Sequence, residues 1–148
     1  IQRLRAAGLI YDAHIMTGIA GRGRGLENAE ATAEFFNRTR PERIINFSLF
    51  LMAGTPLYED AKAGRFFPAS ELENLEEERR LLQLMEWEGQ RVVYDGFHDC
   101  ITFRVRGRLP GEKEKMLGKL DGAIKVWKEK EPVFAWAERI PDAVILKE

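Results

Sequence analysis

The chain has 148 residues, of which 45% are hydrophobic and 32% are charged, and its formal net charge is −1. This length and apolar content allow one domain with a hydrophobic core, and the near-neutral charge excludes a general attraction to nucleic acid or anionic membrane. No apolar run is long enough for a transmembrane helix, and no signal-peptide pattern stands at the start.

The chain contains a single cysteine, Cys100. It excludes an internal disulfide framework and any zinc or iron–sulfur site built from several cysteines of this chain, and it indicates a reducing cytoplasm. The sequence opens without an initiator Met, on residues typical of the last turns of a helix that ends at Gly8. This start predicts that the chain is a piece of a longer protein.

The first predicted strand, residues 9–16, is apolar on both faces and leads into a loop with glycines at 18, 21, 23 and 25. A helix over residues 27–39 follows. A strand, a glycine loop and a helix bring backbone N–H groups close to an anionic ligand, but a tight turn with solvated arginines gives the same pattern. The loop lacks the Lys-Ser or Lys-Thr of a P-loop, the third glycine of a Rossmann fingerprint and the serine of a nucleophile elbow.

The second predicted strand, residues 44–51, carries Asn46 and Ser48 on one face among apolar neighbours. The first strand likewise carries Asp12 and His14 on one face. A polar-lined barrel or cleft interior would explain both pairs, and two separate hydrogen-bond networks would explain them equally well.

The second half of the chain is richer in helices. Ser70 to Glu73 form a capping box, which predicts a long helix over residues 70–88 whose glutamate-rich run, residues 76–80, is solvated. The sequence further predicts helices at 57–63 and 112–128, an extended piece at 92–94, a turn at Asp95-Gly96, a strand at 101–106 and a docked tail at 132–148.

Two segments resemble the late strands of the partial TIM barrel in radical S-adenosylmethionine (radical SAM) enzymes. One reads HIMTGIAG and then ENAEATA, from His14 to Ala33, and is similar to the fifth strand and following helix of that family. The other, Phe50 to Tyr58, reads FLMAGTPLY and is similar to the "PGTxLY" after the sixth strand. Gly107 to Leu117 also resembles the "GRLPxxKxxML" of B12-type and coproporphyrinogen-dehydrogenase-like members.

The resemblance implies an α/β fold, the C-terminal portion of a partial (β/α) TIM-type barrel with a helix-rich C-terminal extension. Residues 1–68 would form the last β/α units and residues 69–148 the extension. The full-length enzyme would cleave SAM reductively at a [4Fe–4S] cluster and abstract hydrogen from an unidentified substrate, whereas this piece alone would be inactive. The family's CxxxCxxC cluster motif is absent from this chain. The cofactor-binding residues implied here are His14, Gly18, Ala20, Gly21, Asn46 and Ser48.

Three further points concern sites and partners. Arg104 and Arg106 are candidate substrate-binding residues, although a solvated edge strand would also explain them. His98, Asp99 and Cys100 could suggest a metal or nucleophile site, but no third ligand or base is indicated, so no metal site is predicted.

The remainder of the barrel or a second copy would complete the sheet. The alternative to a radical SAM enzyme is a non-enzymatic half-barrel that dimerises or binds an anionic, nucleotide-like ligand at Gly18 to Gly25.

Overall fold

The structure, a computed structural model, describes residues 1, 3, 6–89 and 91–137. Its strands and helices alternate through the first half of the chain, and helices predominate after it. In chain order the elements are β1 (Asp12–Thr17), α1 (Gly25–Thr39), β2 (Arg43–Ser48), β3 (Leu51–Met52), α2 (Pro56–Lys62), α3 (Glu71–Leu84), β4 (Val92–His98), a 3₁₀ turn (Asp99–Ile101), β5 (Phe103–Leu109), α4 (Lys113–Trp127) and β6 (Trp136–Ala137). The predicted α/β class is confirmed in this form.

The main sheet has four strands in the order β1-β2-β4-β5. The first three are parallel, and β5 runs antiparallel to β4. It therefore combines strands from both predicted segments, 1–68 and 69–148. A separate parallel pair joins β3 to β6, so the tail as far as Ala137 docks on the body as predicted. The rest of the predicted tail, residues 138–148, lies outside the described residues.

The helices α1, α3 and α4 supply one hydrophobic core together with alternate residues of the sheet. The largest side chains in it are nearly inaccessible to solvent, and burying each one contributes about 1.5–3 kcal/mol relative to exposure. They include Phe36 of α1, Ile44 of β2, Leu75 and Leu82 of α3, Tyr94 of β4 and Leu120 of α4. Among the described residues no helix covers the opposite face, where Asp12, His14 and Met16 of β1 are exposed.

The predicted turn at Asp95-Gly96 is wrong, because β4 continues through it to His98. Gly96 pairs with Asn46 of β2 on one side and with Val105 of β5 on the other, so two ladders hold the segment extended. The glycine serves close packing: a Cβ there would lie 1.8 Å from the Glu78 Oε1 atom of α3. The capping box of α3 is confirmed, but the helix ends at Leu84 rather than at residue 88.

Candidate functional site

The carboxyl ends of the three parallel strands lie at one edge of the sheet, which is where α/β proteins build most ligand sites. At this edge β1 leads into the glycine loop, β2 ends at Ser48 and β4 ends at His98. The helix α3 crosses the same region with a set of polar side chains that are nearly or fully buried. These are Glu71, Asn74, Glu77 and Glu78.

His98 is fully buried between two carboxylates of α3. Its Nδ1 lies 2.9 Å from Glu71 Oε2 and its Nε2 lies 3.0 Å from Glu78 Oε2. Burial by itself lowers the pKa of this imidazole, but the hydrogen bonds to both carboxylates outweigh it and raise the pKa to about 9. His98 is therefore an imidazolium at neutral pH, and both of its nitrogens are donors.

Glu78 extends the network into the sheet through its other oxygen. Oε1 accepts hydrogen bonds from Asn46 Nδ2 at 2.9 Å and from the Tyr94 hydroxyl at 2.8 Å. Asn46 in turn accepts from the Thr17 N–H through Oδ1 at 3.2 Å. Burial and the neighbouring Glu78 charge raise the pKa of Tyr94 well above its ordinary value, so the phenol stays a donor. One carboxylate thus joins α3 to β2 and β4.

Two further carboxylates of α3 bind the backbone of the glycine loop. The Gly18 N–H donates to Glu77 Oε2 at 2.8 Å, and the Gly23 N–H donates to Glu73 Oε1 at 2.8 Å. Glu77 also accepts from Asn28 Nδ2 at 2.7 Å. Burial raises the pKa of Glu77 despite these bonds, whereas in Glu73 the bonds outweigh burial and lower the pKa. An external anion at Gly18 or Gly23 would have to displace a carboxylate of the protein itself.

The prediction that residues 76–80 form a solvated face is wrong for Glu77 and Glu78, which are 2% and 0% exposed. The other three residues of the run, Glu76, Arg79 and Arg80, are partly exposed and form ion pairs. The sequence did contain a signal: Glu71 and Glu78 occupy the same helical stripe as the core leucines of α3. Polar residues on the covered strand faces supply their partners.

The predicted cofactor-binding residues fall into three places. Gly18, Ala20 and Gly21 form the loop at the carboxyl edge, and Asn46 and Ser48 belong to β2, with Asn46 on the face that α3 covers. His14 lies on the uncovered face, because it pairs with Ile45 while Ile15 pairs with Asn46. The prediction that His14 and Asn46 line the same polar interior is therefore wrong. The other explanation, a local hydrogen-bond network, is confirmed for Asn46.

The uncovered face carries a row of planar side chains, one from each strand. His14 and Phe47 have ring centroids 6.4 Å apart, and Phe47 and Phe97 are stacked with centroids 5.4 Å apart. The Arg104 guanidinium continues the row 4.3 Å from the Phe97 centroid. It also makes a bidentate pair with Asp95, at 2.7 and 2.6 Å. The face is therefore apolar along its centre and charged at the β5 edge, where Arg106 is also exposed.

The sequence His98-Asp99-Cys100 is not a nucleophile site. Both nitrogens of His98 are engaged by carboxylates, so this residue cannot accept a proton from Cys100. Burial, followed by the negative charges of Glu71 and Asp99, raises the pKa of the Cys100 thiol and disfavours the thiolate. Within the described residues, no three His, Cys, Asp or Glu side chains are arranged to hold a metal ion.

Replacing Glu77 with alanine is expected to loosen the glycine loop, because the Gly18 N–H and the Asn28 amide both lose their acceptor. Loss of a charged acceptor costs about 1–3 kcal/mol. Amide hydrogen exchange at Gly18, measured by NMR, should accelerate accordingly. Glu27→Ala, an exposed change at the start of α1, is the control and should leave the rate unchanged. Equal rates in the two variants would show that Glu77 does not hold the loop.

No helix among the described residues is both long enough and apolar enough to cross a membrane. Comparison with known proteins finds no protein-family model that matches the chain, and no curated protein matches it. A functional argument therefore has to start from three features of the structure: the buried Glu–His–Glu network, the glycine loop bound by α3, and the uncovered face of the sheet.

Proposed function

We propose that this chain is the carboxyl-terminal part of a barrel-type radical SAM enzyme. The observation that carries the proposal is the one-sided sheet, in which helices cover one face and the other face is open, with an apolar centre. In a (β/α) barrel the helices lie outside and the strands' other faces line the interior. The uncovered face would then be part of the inner wall.

The edge of the sheet supports the same proposal. Strand β1 is an outer strand among the described elements; its neighbour β2 is parallel to it, and β4 beyond β2 runs in the same direction. Further parallel strands from the remainder of the enzyme would add beside β1 and complete a barrel. The motif that resembles "PGTxLY" has a local role as well, because Thr55 Oγ1 caps α2 by accepting from the Tyr58 N–H at 3.3 Å.

A [4Fe–4S] cluster does not fit this chain by itself, because its one cysteine, Cys100, cannot supply the several thiolates that a cluster needs. The cluster would be held by the rest of the full-length protein. For SAM, the side chain of Asn46 is already engaged by Glu78 and Thr17, and the Gly18 N–H by Glu77. Contacts to SAM are therefore proposed for His14 on the uncovered face and for Ala20, Gly21 and Ser48 at the carboxyl edge.

The second candidate function is a non-enzymatic half-barrel. Its anion-binding version is disfavoured, because Glu73 and Glu77 already occupy the Gly23 and Gly18 N–H groups. Its dimerising version is favoured by the uncovered face, on which Met16 is 48% exposed beside the aromatic row. A second copy that covers this face would remove apolar surface from water.

The test is the full-length protein, expressed without oxygen and reconstituted with iron and sulfide. We expect an EPR signal of a reduced [4Fe–4S] cluster that shifts when SAM is added, because SAM binds at the cluster in the implied family. The 148-residue chain treated in the same way is the control and should hold no cluster. A folded full-length protein without a cluster would overturn the proposal, and a stable dimer of the chain would then support the half-barrel.

A further inference from the structure

The strand β5 is the outer strand of the sheet on the side opposite β1, and α4 packs beside it. Between the two lies a groove of about 460 Å³ that we call the basic groove. Six residues line it, four of them cationic: Arg104, Val105, Arg106, Lys115, Met116 and Lys119. Its volume is in the range of pockets that hold small ligands.

The backbone along β5 is capped on both sides of the groove. The carbonyl of Arg104 accepts from Lys119 Nζ at 2.6 Å, and the N–H of Arg108 donates to Glu112 Oε2 at 2.9 Å. Backbone groups of an outer strand alternate between its neighbour and the open edge. Arg106, which lies between these two capped residues, therefore directs its N–H to the open edge at the groove.

The positive charge in the groove exceeds the negative charge beside it. Asp95 makes a bidentate pair with Arg104 and a longer ion pair with Arg106, whose Nε lies 3.6 Å from Asp95 Oδ2. Lys115 Nζ donates to Glu112 Oε1 at 3.4 Å, so two carboxylates stand against four cations. Among the described residues, Lys119 has no carboxylate partner. Because the whole chain has a net charge of −1, this local excess is not a consequence of a generally basic protein.

We propose that the basic groove binds the phosphoryl group of a small molecule. A tetrahedral, multiply charged oxyanion can accept hydrogen bonds from several directions at once. The donors available to it are the guanidinium and backbone N–H of Arg106 and the ammonium groups of Lys115 and Lys119. Val105 and Met116 are each 1% exposed, so they form the floor of the groove and the cations around it carry the binding. The site lies at the outer edge of the sheet and does not depend on the proposed radical SAM activity.

Charged residues on an outer strand also prevent strands of other molecules from pairing with it. That role explains cations on β5 itself, but it does not require Lys115 and Lys119 to face the same cavity from α4. The two roles differ in one measurable property, because only a binding site saturates with a small anion.

The test is isothermal titration of the 148-residue chain with inorganic pyrophosphate at an ionic strength of about 0.15 M, where exposed charges are largely screened. We expect saturable binding that weakens at least about ten-fold in the double variant Arg106→Gln, Lys119→Gln, because charge-assisted hydrogen bonds are lost. Lys125→Gln removes an exposed positive charge from the same helix and should change the affinity less than about two-fold. Circular dichroism confirms that each variant is folded.

Two results would overturn the proposal. The first is the absence of saturable pyrophosphate binding, including the case in which a single-stranded RNA of about twelve nucleotides binds in its place. The second is a loss of affinity in Lys125→Gln equal to that in the double variant, which would show that the overall positive charge of α4, rather than the groove, attracts the anion. Neither result bears on whether the full-length protein holds an iron–sulfur cluster.

Discussion

Replacing Glu78 with alanine is expected to lower the free energy of unfolding by about 3–5 kcal/mol, the usual cost of removing one partner of a buried charge pair. Three donors lose their acceptor at once: the Asn46 amide, the Tyr94 hydroxyl and the His98 Nε2–H. The His98 imidazolium would remain buried with Glu71 as its one carboxylate contact. Since domains of this size are stable by about 5–15 kcal/mol, the loss is a large fraction of the total.

Urea unfolding followed by circular dichroism measures this loss. The matched control is Glu76→Ala, which removes a carboxylate two residues away that pairs with Lys128 at the surface, and which should change the stability by less than about 0.5 kcal/mol. Glu78→Gln keeps one acceptor oxygen and is expected to fall between the two, so it remains informative if the alanine variant does not fold. Similar stabilities for the Glu76 and Glu78 variants would show that the network contributes little.

The helices and the sheet class could be predicted because their signals are local. The capping box at Ser70 and Glu73 forms as predicted, and the apolar stripe of α1 gives its buried Ala29, Ala33 and Phe36. The predicted turn at Asp95-Gly96 failed because pairing with two neighbouring strands overrides the turn preference of these residues. That pairing joins residues distant in sequence, which a single sequence does not display.

The candidate site was less predictable, because its geometry depends on the register between strands. Shifting two strands by one residue reverses which face each side chain occupies. The observed register puts Asn46 beside Ile15 rather than beside His14, so the two predicted residues lie on opposite faces. The burial of Glu78 was not predicted for a related reason: it requires Tyr94, Gly96 and His98 of β4 to pack against α3. Only the folded structure brings these partners together.

The buried imidazolium predicts that the protein loses stability as the pH rises. The folded-state pKa of His98, about 9, is above the value of about 6.5 expected for an unfolded chain. A group of this kind stabilises the fold fully below its unfolded pKa, and the stabilisation disappears as the pH rises through the folded pKa. By linkage, the loss between about pH 6.5 and 9 amounts to about 3 kcal/mol. The raised pKa of Cys100 acts in the same direction near the top of this range, so the measurement belongs in a Cys100→Ser background.

In that background, we expect the unfolding free energy of the parent to exceed that of His98→Gln most at pH 6, and the difference to shrink by pH 9.5. His14→Gln, the same substitution at an exposed histidine, is the control. If His98→Gln does not fold, an NMR titration of the parent gives the His98 pKa directly. A pKa at or below about 6.5 would contradict the imidazolium, because a neutral ring between Glu71 and Glu78 can donate to only one of the two carboxylates.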